Sequence, residues 1–113
     1  MNTYYNHRAE PYFTFLKNGQ KTIEGRIAKG KYSHIAAGDT IVVSTIDETD
    51  SVKVIVRRVT LYPTIAAMLR VEDLKKVLPD AESEQQGIAI YRQFYSETQE
   101  AEFGVVAIEV EVV

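Results

Sequence analysis

The hydrophobic period changes several times along the chain, and each change marks an element. Thr40-Ile41-Val42-Val43-Ser44-Thr45 is a β-branched run, and Val52, Val54 and Val56 share one face against Lys53, Ile55 and Arg57 on the other. Both stretches read as strands, Val52 to Thr60 being the second, and the polar turn Asp47 to Ser51 joins them in a hairpin. Near the C-terminus Val106, Ile108, Val110 and Val112 point inward, and Glu109 and Glu111 outward, predicting a last strand over Phe103 to Val113. Thr3 to Arg8 forms a short first strand. Helical spacing takes over after Pro11, where Tyr12, Phe15 and Leu16 fall on one face until Gly19 supplies a left-handed stop. Pro63 opens a second helical stretch, Thr64 to Leu69, and a further turn or two runs from Glu72 to Leu78 before Pro79. A longer helix is expected over Glu82 to Tyr95, with Ile88, Tyr91 and Tyr95 at i, i+3 and i+7. Long β segments with helices inserted in two places predict an α+β fold, a small curled antiparallel or mixed barrel with helices across an opening. Parallel βαβ winding would need regular alternation of strand and helix, which is absent.

A length of 113 residues fits one domain spanning 1–113. The absence of cysteine excludes disulfides, thiolate metal sites and a cysteine nucleophile. His7 and His34 are far apart and lack acidic neighbours, so neither a metal nor another cofactor is expected. No apolar run approaches the roughly 20 residues of a membrane span, and a soluble, cytoplasmic protein is expected. The net charge of −3 argues against a bulk nucleic-acid coater. Charge is unevenly placed, though: residues 1–71 hold ten Lys or Arg against six acids, and residues 72–113 hold three against ten. Lys17, Lys21, Arg26, Lys29 and Lys31 are opposed only by Glu24, a local positive stretch suited to a nucleotide or a short strand.

The richest segment is Gly19-Gln20-Lys21-Thr22-Ile23-Glu24-Gly25-Arg26. After Gly19 the period becomes two, placing Thr22, Glu24 and Arg26 on one face and Ile23 and Gly25 on the other. Lys21 sits at the mouth of that strand. A bland reading makes Glu24 and Arg26 a surface ion pair contributing about 0 to 1 kcal/mol. The alternative is a site for a polar, anionic ligand. Arg26 has the planar fork for phosphate or carboxylate. Lys21 can anchor a phosphate, or act as a base if burial and Arg26 lower its pKa. Glu24 can accept from an exocyclic amine of cytosine or adenine. Tyr91, Tyr95 or the Tyr4-Tyr5 pair can stack on a base, although tyrosines at helical spacing more often belong to a core.

Gly19-x-Lys21-x-x-Glu24-x-Arg26, with Gly38-Asp39 before an apolar strand, resembles the ASCH domain of the PUA-like superfamily. Ile90-Tyr91-Arg92-Gln93-Phe94-Tyr95-Ser96 and Gly104-Val105-Val106-Ala107-Ile108-Glu109 resemble one prokaryotic subgroup, so the likeness runs from about Pro11 to the end. The resemblance implies a small PUA-like β-barrel with a cleft beneath its helices. It further implies that Lys21, Glu24 and Arg26, with Thr22 beside them, bind RNA or a small nucleoside or nucleotide ligand. Some small members are amidohydrolases that deacylate N4-acetylcytidine, and ribonuclease activity has been suggested for others; in either case Lys21 and Glu24 become the catalytic candidates. The amidohydrolases are thought to use a Lys, a Thr three residues later and a distant Glu. Here Glu24 stands at the Thr position, and a carboxylate is a poorer acyl acceptor than an activated hydroxyl. Asp80, Glu82 and Glu84 compete for the distant carboxylate. A binding module, an amide hydrolase with Lys21 as base, and a purely structural barrel therefore remain as rival readings.

Overall fold

A computed structural model describes residues 1–113. Five strands, β1 (Thr3–Arg8), β2 (Ile23–Ile27), β3 (Thr40–Thr45), β4 (Ser51–Tyr62) and β5 (Val105–Val112), form one sheet in the order β1-β3-β4-β5-β2. The β1–β3 pair is parallel and every other pair antiparallel. Five short helices accompany them: α1 (Tyr12–Lys17), α2 (Ile65–Val71), α3 (Leu74–Val77), α4 (Glu84–Arg92) and α5 (Glu97–Phe103). The α+β class and the curled mixed sheet are as expected, the barrel taking the form of a half-barrel. Its sheet curls until the two edge strands meet, with Arg8 Nη2 2.9 Å from Glu24 Oε2. No helix is long and apolar enough to cross a membrane, and no group of three His, Asp or Glu side chains could hold a metal ion.

Two apolar cores share the sheet, and β5 serves both. Val106, Ile108 and Val110 face the concave side with Phe13, Leu16 and the valines of β3 and β4. Val105 and Ala107 face the opposite side, where Ile23 and Ile27 pack beneath Met68, Leu69 and Tyr91 of α2 and α4. Burying both faces explains why β5 starts as a nearly continuous apolar run and alternates only later. Val112, expected inward, is exposed because the strand has by then outrun the core.

Four expectations need correction. The long helix spans only Glu84–Arg92, its start set by Ser83 Oγ accepting from the Gln86 N–H. Glu97–Phe103 is a helix that hydrophobic periodicity does not announce, because polar end groups hold it. Ser96 and Gln99 form a reciprocal capping box, and buried Glu100 accepts from the Ile65 N–H at 2.5 Å. That helix delays the last strand from Phe103 to Val105. In α1 the buried pair is Phe13 and Leu16, whereas Tyr12 and Phe15 are half-buried, since α1 meets the concave core from one side only.

Candidate functional site

Lys21 owes its position to the way the chain leaves α1. Gly19 takes φ +86°, the Lys21 N–H returns to the Phe15 carbonyl at 2.9 Å, and the Thr22 N–H reaches Lys76 at 3.0 Å. The backbone is thus pinned before β2 begins at Ile23, two residues later than the period suggested. Lys21 is 3% exposed, not free at the mouth of the strand. Its Nζ donates to the Ile23 carbonyl at 2.7 Å and to the Val77 carbonyl. Two acceptors use both N–H groups of a neutral amine and leave its lone pair free, whereas an ammonium keeps one N–H unpaired. Burial accordingly pushes the Lys21 pKa down, against the opposing pull of Glu24 and Asp80.

Glu24 and Arg26 reach the concave side because β2 pairs with β5 in a register that sets them opposite Ile108 and Val106. Glu24 is buried, and burial raises its carboxyl above the ordinary range despite nearby Lys21. Its charge partner is Arg8 at the end of β1, not Arg26. Arg26 instead donates from Nη1 to Tyr95 Oη at 3.3 Å and lies 5.1 Å from the centroid of the Tyr32 ring. Lys21, Glu24 and Arg26 therefore line one cavity of about 250 Å³, together with Arg8. Thr22 does not line it. That side chain belongs to a separate hollow with Gly19 and Val110, because residue 22 precedes the regular strand.

Four buried polar atoms around this cavity lack any hydrogen-bond partner: Arg8 Nε and Nη2, Glu24 Oε1 and Arg26 Nη2. Arg8 and Glu24 thus touch as charges without an aligned hydrogen bond. Orphaned buried groups are costly and uncommon; Asn6 Oδ1 and Arg92 Nη1 are two more, on residues that do not line the cavity, while the other four gather at this one place.

Tyr12, Phe94 and Tyr95 line the cavity, with Phe94 and Ile46 exposed at its margin. Tyr91 is stacked on Tyr95 at 6.5 Å but is buried over Gly25, with its phenol pushed upward in pKa by burial. A Cβ on Gly25 would lie 2.6 Å from Tyr91 Oη and 2.7 Å from Met68 Cε, so the floor requires a residue without one. Neither Tyr4, half-buried on the concave core, nor exposed Tyr5 lines the cavity. Among the three competing acids Asp80 comes nearest: it accepts from Tyr12 Oη at 3.3 Å and acts on Lys21, whereas Glu82 turns to Lys75 at 3.8 Å. Exposed Glu84 does not line the cavity.

The basic stretch does not make one surface. Lys17 pairs with Asp50 at 2.6 Å, Lys31 donates to the Tyr5 carbonyl at 2.6 Å, and Lys29 lies over Phe103. A larger open groove of about 990 Å³ adjoins the cavity at Arg8, Ala9 and Ile46. Its charged walls are already paired, Lys17 with Asp50 and Glu10 with the Thr14 N–H and hydroxyl. Arg8 borders both spaces, but Glu24 and Arg26, which carry the other unpaired atoms of the cluster, line only the smaller cavity.

Arg8 is the residue that reading the sequence missed. It stands at the end of an unremarkable strand, thirteen residues before Lys21, and only the parallel pairing of β1 with β3 swings it across to β2. No local pattern signals such a contact.

The ASCH domain family model matches residues 8–113. A crystal structure of a hypothetical protein, PH0355, is 36% identical, superposes with a TM-score of 0.89, and is covered over 98% of this chain and 99% of that one. The solution structure of protein PF0455 from Pyrococcus furiosus is likewise 36% identical, with a TM-score of 0.79 and coverage of 98% and 97%. An ASCH domain from Lactobacillus crispatus, at 16% identity and a TM-score of 0.54 over 96% of this chain and 79% of its own, shares the fold. No curated protein matches the chain.

Proposed function

The chain belongs to the ASCH domain family, and from that premise we propose that it binds one nucleoside or nucleotide unit, free or within RNA, in the cavity of Lys21, Glu24 and Arg26. The observation carrying this reading is the set of four buried, partnerless polar atoms on Arg8, Glu24 and Arg26. Their donors and acceptor stand ready for a ligand that presents both kinds of group, as a nucleobase edge does. A space of about 250 Å³ suits one such unit, not a strand. Tyr95 and Phe94 offer flat faces beside it. Titration with cytidine, adenosine and short RNA, followed by NMR shifts of cavity residues, tests this. Binding that Arg26→Ala weakens about tenfold is the expected result; shifts confined to the outer surface would defeat the reading.

A second reading rests on the buried Nζ of Lys21, whose two carbonyl acceptors match the two N–H groups of a neutral amine with a free lone pair. Such an amine can take a proton from water as the hydroxide attacks an amide carbonyl, the C–N bond breaks, and the proton passes to the leaving amine. The products are an acid and a free exocyclic amine, as in deacylation of N4-acetylcytidine. Lys21→Met keeps the buried stem and should lower such turnover by roughly 100-fold or more. Binding without turnover in the unmodified chain leaves the first reading alone.

A further inference from the structure

The cavity contains more fixed positive than negative charge in every protonation state. Arg8 and Arg26 remain cationic throughout. Glu24 is the one buried carboxylate among the lining residues. With Glu24 ionised and Lys21 neutral the balance is +1; with both charged, or both neutral, it is +2. Asp80 is exposed and solvated, and His7 turns to Glu48 at 2.8 Å. Tyr12, its pKa pushed up to about 12 chiefly by burial, stays a neutral phenol. A buried charge without a counter-charge is costly, and here the surplus coincides with unpaired donors on both guanidinium groups.

We infer that the unit held in this cavity is an anion, a phosphate-bearing nucleotide instead of a neutral nucleoside, and that Arg8 is the residue that selects it. This rests on the nucleoside-or-nucleotide reading above and narrows it. Arg8 presents Nε and Nη2, adjacent donors on one edge of a guanidinium, which is the geometry that grips two oxygens of one phosphate; Nε has no partner, and Nη2 meets Glu24 Oε2 at 2.9 Å only as a charge contact without an aligned hydrogen bond. Arg26 adds a third free donor from β2. Glu24 is left to accept from the base, its repulsion toward phosphate offset by the two arginines.

Calorimetric titration of the unmodified chain with cytidine, its 5′- and 3′-monophosphates and inorganic phosphate decides the matter. One monophosphate should bind about tenfold or more tightly than cytidine, with the gap narrowing as salt rises. Arg8→Gln should abolish most of that gap, lowering monophosphate affinity far more than cytidine affinity. Equal affinity for cytidine and both nucleotides would overturn the inference while sparing the nucleoside reading. Inorganic phosphate binding as tightly as either nucleotide would uphold the anion site and sink that reading. No binding of any of the four overturns both. The comparison among ligands needs no variant, so it decides even if Arg8→Gln fails to fold.

Discussion

Arg58 and Arg8 each stand on a strand and face a buried glutamate, yet their surroundings are opposite. Arg58, beside the register shift in β4, grips Glu72 with two nitrogens at 2.7 and 3.0 Å and reaches Glu109 at 3.0 Å and Thr60 at 2.6 Å. Tyr62 Oη donates to the same carboxylate. Neither Arg58 nor Glu72 keeps a buried unpaired atom, whereas Arg8, Glu24 and Arg26 keep four. Glu72 is held below its ordinary pKa, first by its bonds to Arg58; Glu24 is pushed above, first by burial. The first cluster is a finished joint between α2 and the sheet. The second is stocked with the same chemistry and left open, as expected where a ligand supplies the missing partners.

The largest effect should come from breaking the finished joint. Glu72→Ala strands Arg58 and Tyr62, and urea unfolding should show a loss of about 3 kcal/mol, the lower end for a buried pair because Arg58 is partly exposed. Nucleotide affinity should stay within about twofold. A loss under about 1 kcal/mol would erase the contrast between the clusters.

Gly25→Ala probes the floor of the open cluster through packing. The added methyl must displace Tyr91 or Met68, costing about 1 to 3 kcal/mol by overpacking. Because Tyr91 stacks on Tyr95, which holds Arg26, binding should weaken too. Intact affinity in a destabilised variant would detach the floor from the site.

The gentlest test sets the two glutamates against pH. Glu72, with its pKa depressed below 4.5 in the fold, contributes stability above that value that is lost as pH falls through the lowered one. Glu24, raised above 4.5, has the reverse sign: stability declines as pH climbs from 4.5 through the raised value, because the fold disfavours its charge. Thermal melts across pH should therefore show Glu72→Gln removing part of the acid-side loss and Glu24→Gln removing the decline. Near neutrality Glu24→Gln should leave stability within about 1 kcal/mol or raise it, while nucleotide binding falls about tenfold. A variant that loses stability and keeps binding would make Glu24 a structural residue.

Much of this molecule follows from local rules that act within a few residues. The β3–β4 hairpin, the first strand, and the starts marked by Pro11 and Pro63 were legible because β-branched alternation and proline need no distant partner. The charged motif was legible as chemistry for the same reason: Lys21, Glu24 and Arg26 lie within six residues. Tertiary structure alone decided what each does. It placed Val77 over Lys21 and so turned a surface amine into a buried one. It brought Arg8 from the far edge of the sheet to Glu24, in place of the Glu24–Arg26 pair of the bland reading. It dispersed the basic stretch among separate partners, sent Thr22 elsewhere, and formed α5 from polar residues whose caps are satisfied at both ends. Burial and partnership are properties of segments that meet in space, and in a curled sheet the decisive meetings join its two edges.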